Sequence, residues 1–531
     1  MVAPSEKLAE SLEALKKLQD RGVVAIRSGD LTRTHRERLL KGGFLHEVMK
    51  GWYIPARQDQ SAGDSTAWYT SFWDFCAAYL DHRFGKAWCL SPEQSASLHV
   101  GNRTVPQQLL VHAPKGGNKP TALPHHTSIF DVRYALPDEK HVTVLDGLRL
   151  FFLPAAMAGC GPGFFRQYPT DARAALAVIR DASDVLAVLL EGGHTTVAGR
   201  LAGAFRNVGR TRIADEIIST MRTAGYDVRE SDPFAGTPQF FLPPREPSPY
   251  VNRMHLMWQA MRGPAANDFP APPGRPKNVD AYLKQVEEVY VSDAYHSLSI
   301  EGYRVSPELI ERIRTGAWDP DSKEDDRERM GALAARGYYE AFQAVKENVA
   351  MVLKGENPGV VADNHHGDWY RALWAPSVTA GLVKPADLAG YRSGPVHIRR
   401  SMHVPPPHEA VRDLMPAFFD RLREEDDPAV RAVLGHFVFV YIHPYMDGNG
   451  RIGRFLMNLM LAAGGYPWTV IPVERRDDYM AALEAASTGQ DIAPFAAFLG
   501  GLVQDGLEGR PGGQVPHEGS PASETKEGRS E

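Results

Sequence analysis

The chain has 531 residues, of which 43% are hydrophobic and 23% are charged, and its formal net charge is −6 at pH 7. This length suggests roughly three or four domains, each able to bury its own core. The cysteines Cys76, Cys89 and Cys160 are too few and too scattered for a disulfide framework or a zinc site. The sequence shows no signal-peptide core and no apolar run of membrane-spanning length, so we expect a cytoplasmic protein without membrane contact.

The first 56 residues show an order of elements that is typical of a winged helix-turn-helix. Residues 8–18 have an amphipathic helical pattern, residues 32–41 form a short basic helix, and residues 44–55 alternate like a hairpin around Lys50-Gly51. In such a module the basic helix enters the major groove of DNA. The candidate DNA contacts are the basic residues of this helix, Arg33, Arg36, Arg38 and Lys41. The alternative is that the same surface binds protein.

Residues 57–232 have the pattern of a mixed α/β region without an assignable motif. Together with the first 56 residues, and through the stretch Ser91–Val100, this region resembles the AbiEi family of antitoxins and regulators. The proline content of residues 233–279 predicts linker segments. The composition of residues 505–531, without periodicity, predicts a disordered tail.

A helical pattern over residues 281–297 leads into the sequence Ser297-Leu-Ser-Ile-Glu301-Gly302. Ser297 and Glu301 are spaced i, i+4 and therefore share one helix face, and Gly302 suits the end of a helix. By itself this pattern predicts only an ordinary capped helix end. A functional meaning depends on a motif further along the chain.

That motif is the sequence His443-Pro-Tyr-Met-Asp447-Gly448-Asn449-Gly450-Arg451-Ile-Gly-Arg454. Apolar residues at helical spacing precede it over residues 429–442, and an i, i+3, i+4, i+7, i+8 apolar stripe begins at Ile452. The motif is therefore predicted to be a tight loop between two helices that ends at a helix N-terminus.

The placement of this loop predicts an anion site. A helix N-terminus offers unpaired N–H groups and partial positive charge, and Gly448 and Gly450 let these amides approach phosphate oxygens closely. Asp447 supplies a hard oxygen ligand suited to Mg²⁺. Arg451 and Arg454 lie one helical turn apart and can reach one polyphosphate. His443 could act as a general base. The alternative is a solvent-exposed Gly-Asn-Gly turn.

These residues resemble the signature of the Fic family, H-P-F-x-(D/E)-G-N-G-R-x-x-R, with Tyr445 in place of phenylalanine. The resemblance implies a multidomain, mainly α protein. Its all-α Fic helical core would cover residues 280–504, with a small flap hairpin, preceded by the winged helix-turn-helix and the mixed α/β region. The implied reaction transfers AMP from ATP to a protein Ser, Thr or Tyr hydroxyl. In this role His443 is catalytic, Asp447 binds magnesium, and the nucleotide is bound by Gly448, Asn449, Gly450, Arg451 and Arg454.

The resemblance implies roles for three further features of the sequence. Ser297, Glu301 and Gly302 match the family's inhibitory sequence, (S/T)-x-x-x-E-(G/N), in which the glutamate reaches the arginine equivalent to Arg454. Residues 391–407 resemble the flap hairpin, on which a target protein would dock near residues 396–405; the alternative is a proline-ended surface loop. Tyr479 corresponds to a tyrosine that lies against adenine, although it could equally be a core residue.

Two other functions remain as alternatives. Some relatives transfer other phosphate-containing groups or remove AMP from modified proteins. A non-enzymatic alternative is a DNA-binding regulator whose Fic domain senses nucleotide, and its expected sign, loss of His443 or Asp447, is not seen. The expected binding partners are a target protein and DNA, and a second copy of the chain, as in a homo-oligomer, is a further possible partner.

Overall fold

A computed structural model describes residues 4–56, 64–234, 248–267, 269–318, 326–510, 513 and 515. Within this described part the chain is predominantly helical, with 21 α-helices and nine short strands. The chain divides into two compact units: unit 1 comprises Met1–Ala260 and Pro395–Leu414, and unit 2 comprises Met261–Gly394 and Met415–Glu531. The prediction of a mainly α protein is confirmed. None of the described helices is both long enough and apolar enough to span a membrane.

Unit 1 begins with the predicted order of helices and hairpin. Its first elements are α1 (Pro4–Gln19), β1 (Ile26–Arg27), α2 (Arg33–Lys41), β2 (Leu45–Met49) and β3 (Trp52–Pro55). The strands form an antiparallel sheet in the order β1-β3-β2, and the hairpin turns at Lys50-Gly51, where Gly51 has a φ of +86°. The side-chain oxygen of Thr32 caps α2 by accepting a hydrogen bond from the backbone of His35. A small core that includes Leu18, Leu39 and Tyr53 holds these elements together.

The rest of unit 1 is mixed α/β up to residue 151 and then helical, as predicted for a mixed region. Four strands form a sheet in the order β4-β5-β7-β6, with β5 and β7 parallel, and β8 and β9 form a hairpin. The elements are α3 (Thr66–Phe84), β4 (Cys89–Leu90), α4 (Pro92–His99), β5 (Gln108–Ala113), β6 (Pro120–Ala122), β7 (Ser128–Arg133), β8 (Val142–Leu145), β9 (Leu148–Phe151), α5 (Leu153–Gly159), α6 (Pro162–Gln167), α7 (Pro169–Val178), α8 (Ala182–Gly192), α9 (Thr195–Asn207), α10 (Thr211–Thr223) and α11 (Pro249–Asn267).

Helix α11 corrects the prediction that residues 233–279 are linker segments. Pro249 starts the helix, where proline is tolerated, and Pro264 lies in its last turn. Between them a run of buried residues includes Met254, Met257 and Trp258. Burial of this apolar surface outweighs the local proline signal. Residues 235–247 and residue 268, which belong to the same predicted segment, lie outside the described part of the chain.

Unit 2 is all-α in its described residues, as predicted for the core. Its helices are α12 (Val279–Glu288), α13 (Tyr290–Ile300), α14 (Pro307–Arg314), α15 (Asp326–Leu353), α16 (Pro358–Thr379), most of α17 (His408–Glu424), α18 (Pro428–Ile442), α19 (Asn449–Gly464), α20 (Arg476–Gly489) and α21 (Ala493–Leu507). Helices α15 and α16 pack against each other, as do α18 and α19, and α19 is buried along almost its whole length. Beyond α21, most of the predicted disordered tail falls outside the described residues.

The predicted flap hairpin is wrong, because residues 391–407 contain no strand. Their proline-ended part, residues 395–414, belongs to unit 1. There the backbone N–H of Val105 donates to the carbonyl of Met402 (2.9 Å), and the backbone N–H of Arg400 donates to the hydroxyl of Thr66 (3.1 Å). Prolines at 395 and 405–407 remove the N–H donors that a ladder needs. Residues 391–407 therefore form a proline-ended loop, which was the alternative to the predicted hairpin.

Candidate functional site

His443 lies at the C-terminal end of α18, which Asp427 caps at its start by accepting bonds from Ala429 and Val430. His443 adopts a left-handed conformation with a φ of +54°. Its Nδ1 lies 3.1 Å from the carbonyl oxygen of Val440, which places the ring proton on Nδ1 and leaves Nε2 as the acceptor. Burial lowers the pKa of His443 to about 4, so the imidazole is neutral at pH 7. The ring therefore has the form that a general base requires.

Arg392 fixes the backbone on either side of the histidine ring. Its Nε donates to the carbonyl oxygen of His443 (2.8 Å), and its backbone N–H donates to the carbonyl oxygen of Pro444 (2.9 Å). The Arg392 side chain is buried. From the sequence, Arg392 was predicted only as part of the flap, because its pairing with His443 is a contact between residues far apart in the chain. Its position shows that it orients the loop that carries His443.

Asn449 and Tyr445 stabilise the loop from within. The side-chain oxygen of Asn449 accepts from the backbone N–H of Tyr445 (2.9 Å), and its side-chain nitrogen donates to the Tyr445 carbonyl (2.8 Å). The ring of Tyr445 stacks on Tyr370 with a centroid separation of 3.9 Å and an interplanar angle of 5°. Tyr445 therefore fills the apolar position expected for phenylalanine. The side-chain amide of Asn449 is used for these two hydrogen bonds, which hold the loop.

The N-terminus of α19 has the backbone geometry expected of an anion cradle. Gly448 precedes the helix with a φ of +84°, a conformation that favours glycine, and no side chain caps the helix start. A Cβ atom at Gly450 would lie only 2.3 Å from Oε1 of Glu301. The Glu301 carboxylate therefore sits directly against this helix end, in the place where an anion would bind.

Three buried donors beside this helix end have no hydrogen-bond partner among the described residues. They are Nε of Arg451, Nη1 of Arg454 and Nε1 of Trp374. A Cβ at Gly448 would lie 3.1 Å from Trp374 Nε1, and one at Gly450 would lie 3.2 Å from Arg454 Nη1, so the donors border the two glycines. Unpaired buried donors are costly, and an anion with several oxygens would satisfy them. No sequence pattern pointed to Trp374, which lies 74 residues before Gly448 in a helix without a motif.

Arg454 joins α19 to the end of α13. Its Nε donates to the hydroxyl of Ser297 (2.9 Å), and its Nη2 donates to the Ser297 carbonyl (3.0 Å) and to Oε1 of Glu301 (2.7 Å). Arg454 is 4% exposed and Glu301 is 28% exposed. Burial raises the pKa of the Glu301 carboxyl, but the guanidinium groups of Arg454 and Arg451 outweigh it, so its pKa is lowered. Glu301 is therefore ionised, and the two predicted motifs meet in one ion pair.

Asp447 lies at the solvent edge of the loop. Its side chain is 68% exposed, its Oδ1 accepts from the backbone N–H of Gly448 (2.5 Å), and it lies 3.8 Å from Nη2 of Arg451. In the described part of the chain no three His, Cys, Asp or Glu residues converge on a metal position. A single exposed carboxylate fits a cation that shares its coordination with the phosphates of a bound nucleotide.

Tyr479 lies in the core of unit 2. It is 1% exposed, its hydroxyl is 2.7 Å from Nε2 of His436, and its ring packs near Phe495 and Phe498. This placement favours the core alternative over a stacking surface for adenine.

The basic residues of α2 in unit 1 are largely engaged within the chain. Arg33 pairs with Glu37 (2.7 Å), Arg36 donates to the carbonyl of Ser28 (2.7 Å), and Arg38 donates to the carbonyl of Lys7 (3.2 Å). Lys41 and Lys50 are exposed.

The helical architecture and the loop at the start of α19 define an α-helical protein with an anion site at a helix N-terminus. Residues 371–461 match the profile of the Fic/DOC family. This match ends within α19 and covers the whole His443–Arg454 motif.

The chain is similar to several curated proteins. It is 32% identical over 237 residues to "Protein adenylyltransferase Fic" of Culex quinquefasciatus, over 43% of this chain and 43% of that protein. It is 32% identical over 222 residues to the protein of the same name from Nematostella vectensis, over 41% of this chain and 47% of that protein. The chain thus spans less than half the length of these relatives. Among solved structures, C. elegans Fic-1 (aa134–508) aligns with a TM-score of 0.37 at 18% identity, over 62% of this chain and 92% of that one.

Proposed function

We propose that this protein is a Fic-type adenylyltransferase that transfers AMP from ATP to a protein hydroxyl and is inhibited in cis by Glu301. The observation that carries the proposal is the position of the Glu301 carboxylate at the N-terminus of α19, paired with Arg454 and surrounded by unpaired donors. A carboxylate there is a substitute for a phosphate group. The curated relatives named as protein adenylyltransferases support ATP as the nucleotide.

The chemical step follows from the neutral His443. Its Nε2 takes the proton of a target Ser, Thr or Tyr hydroxyl as the hydroxyl oxygen attacks the α-phosphorus of ATP. The new P–O bond forms, the bond from the α-phosphorus to the bridging oxygen breaks, and pyrophosphate leaves with that electron pair. Arg392 acts by holding the His443 backbone in position.

The remaining residues bind the phosphates. The amides at Gly448–Gly450 and the guanidinium of Arg451 stabilise charge on the transferring and leaving phosphates. Arg454 binds the γ-phosphate after Glu301 moves away. Asp447 would hold Mg²⁺, which would neutralise phosphate charge. Asn449 keeps the loop in shape, and Tyr479 supports α18 from the core through His436. A target protein docks near residues 396–405, as the resemblance implies.

The test compares self-labelling and lysate labelling with α-phosphate-labelled ATP by the wild type and by Glu301→Gly. We expect little labelling by the wild type and at least about 10-fold more by Glu301→Gly, because the freed arginine restores phosphate alignment. The control is Glu301→Gly combined with His443→Ala, which should bind ATP but transfer AMP about 100-fold or more slowly. Equal labelling by the wild type and Glu301→Gly would contradict inhibition by this residue. Release of AMP from a labelled target by the wild type would support the alternative, AMP removal.

We also infer a separable role in DNA binding for residues 1–56. The order of α2 and the β2–β3 hairpin, with exposed Lys41 at the helix end and Lys50 at the hairpin turn, favours a winged helix. Arg33, Arg36 and Arg38 would need to exchange their internal partners for phosphates. The binding would therefore depend strongly on salt.

A further inference from the structure

Arg451 is enclosed between two aromatic rings. Its guanidinium carbon lies 5.1 Å from the ring centroid of Tyr303 and 4.9 Å from that of Trp374, and its side chain is 1% exposed. A cation held over aromatic faces is attracted to them, most strongly where water is excluded. Arg451 is one of the two motif arginines that the proposed mechanism needs for phosphate. In this structure one face of its guanidinium is covered by Tyr303.

Tyr303 belongs to the segment that also carries Glu301. The backbone N–H of Gly302 donates to the carbonyl of Ser299 (3.0 Å), and that of Tyr303 donates to the carbonyl of Leu298 (3.1 Å). Gly302 has a φ of +88°, which turns the backbone sharply between the two side chains. As a result Glu301 contacts Arg454 while Tyr303 contacts Arg451, and both are fixed to the end of α13.

The electrostatic environment couples the two contacts. Burial raises the pKa of the Tyr303 phenol, and the cation of Arg451 acts against that change. The same guanidinium helps to lower the pKa of the Glu301 carboxyl. One short segment, residues 297–303, therefore contacts both cations of the anion cradle. The family's inhibitory pattern ends at Gly302, so Tyr303 lies outside it.

We propose that Tyr303 is a second inhibitory contact, which holds the guanidinium of Arg451 and restrains it from turning its donors toward a nucleotide until residues 297–303 move. This inference rests on the proposed function, in which Glu301 blocks the same site. Movement of one segment then frees Arg454 and Arg451 together. Trp374 belongs to α16 rather than to that segment, so it remains as a support for Arg451 after Tyr303 has moved.

The first experiment needs no nucleotide. Phenylglyoxal modifies accessible arginines, and peptide mass spectrometry gives the rate at Arg451. We expect Tyr303→Ala to raise this rate by about 3- to 30-fold, the range expected for loss of a desolvated cation–π contact. Tyr303→Phe keeps the ring and should stay within about 2-fold of the wild type. The matched control is Tyr295→Ala, which removes a tyrosine from α13, the helix that precedes Tyr303; the Tyr295 ring packs beside His296.

The second experiment measures the equilibrium dissociation constant of Mg-ATP by calorimetry. Tyr303→Ala should bind Mg-ATP about 3- to 30-fold more tightly than the wild type, with Tyr303→Phe close to the wild type. Glu301→Gly reports separately on the proposed function: if it binds no Mg-ATP, that proposal fails, while arginine modification still tests Tyr303. Unchanged modification of Arg451 in Tyr303→Ala, an equal rise in Tyr295→Ala, or weaker Mg-ATP binding by Tyr303→Ala would each overturn the inference.

Discussion

His443 is neutral because the fold buries it and because its Nδ1 pairs with a backbone carbonyl at the end of α18. The left-handed conformation of His443 also ends the helix, so helix termination and the position of the imidazole have one cause. Asn449, six residues later, uses its amide on the backbone of the same loop. The shape of the loop therefore depends on hydrogen bonds within the protein, which His443 and Asn449 make to backbone groups.

The buried histidine predicts a flat pH profile for transfer. With a pKa of about 4, lowered by burial, His443 stays deprotonated as the pH falls from 8 to 5.5. Removing Glu301, whose charge raises this pKa, lowers it further, so the released variant Glu301→Gly should also stay active. Single-turnover labelling by Glu301→Gly, measured at saturating ATP across this range, checks the expectation. A half-maximal rate near pH 6.5 would show an ordinary, solvated imidazole.

Asn449→Ala should destabilise the loop. The change removes both hydrogen bonds to Tyr445 and leaves a buried backbone N–H without its acceptor, which costs about 1–3 kcal/mol. Urea unfolding at pH 7 measures the loss. Asn449→Asp is the matched variant, since it keeps the acceptor for the Tyr445 N–H and loses only the donor. If Asn449→Ala unfolds at the wild-type urea concentration, the loop is held by other contacts.

Helix α13 links the two motifs at the scale of secondary structure. Its last turn presents Ser297 and Glu301 to Arg454 on α19, and the break between α12 and α13 at Val289 separates this helix from the preceding one. The sequence predicted a single helix over residues 281–297, and the structure divides it in two. The short α13 can therefore place its C-terminal end on α19 independently of α12.

The pairing between α13 and α19 predicts how Arg454 behaves when Glu301 is removed. Adding Arg454→Ala to Glu301→Gly should remove most of the gain in labelling, because the freed guanidinium is what Glu301→Gly supplies. Arg454→Lys is the comparison variant, which keeps the charge without the fork of donors. Labelling rates at saturating ATP measure the effect. If the double variant Glu301→Gly, Arg454→Ala labels as fast as Glu301→Gly, the activation has another cause.

The two units of the fold are not continuous segments of the sequence. Residues 395–414 lie between two segments of unit 2 in the sequence, yet they pack with unit 1, where Met402 and Val404 contact the core around Trp52 and Trp73. The segment proposed to dock a target protein is thus shaped by the N-terminal half of the chain. This grouping explains why no hairpin forms: the backbone of the segment pairs with Val105 and Thr66.

Binding of the full chain to DNA should respond to Lys41 and Lys50. The affinity for DNA falls as salt rises. Removing one lysine that contacts a phosphate reduces the steepness of log affinity against log salt concentration by about 1. We expect the double variant Lys41→Ala, Lys50→Ala to bind duplex DNA more weakly and with a slope reduced by about 2. Fluorescence anisotropy between low and moderate salt provides the measurement. Lys284→Ala, on the exposed face of α12 in unit 2, is the control. No binding by the wild type at low salt would leave protein contact as the role of this region.

The sequence by itself determined what depends on neighbouring residues. The periodicity of residues 429–442 and the glycines after Asp447 were sufficient to predict α18, the loop and the start of α19, because helix spacing, capping and glycine conformations are local properties. The hairpin at Lys50-Gly51 was predictable for the same reason. The link between Glu301 and Arg454 came from a family resemblance, since no local pattern connects positions 153 residues apart.

Only the tertiary structure decided which distant groups meet. Three contacts join groups that are distant in the sequence, namely Arg392 with His443, Trp374 with Gly448, and Tyr303 with Arg451, and none belongs to a recognisable spacing. The same reason explains the two errors. In α11 the burial of apolar surface outweighs the local proline signal, and in residues 395–414 long-range backbone hydrogen bonds replace the local strand pairing of the predicted hairpin. Burial and pairing depend on partners that the chain reaches only when it is folded.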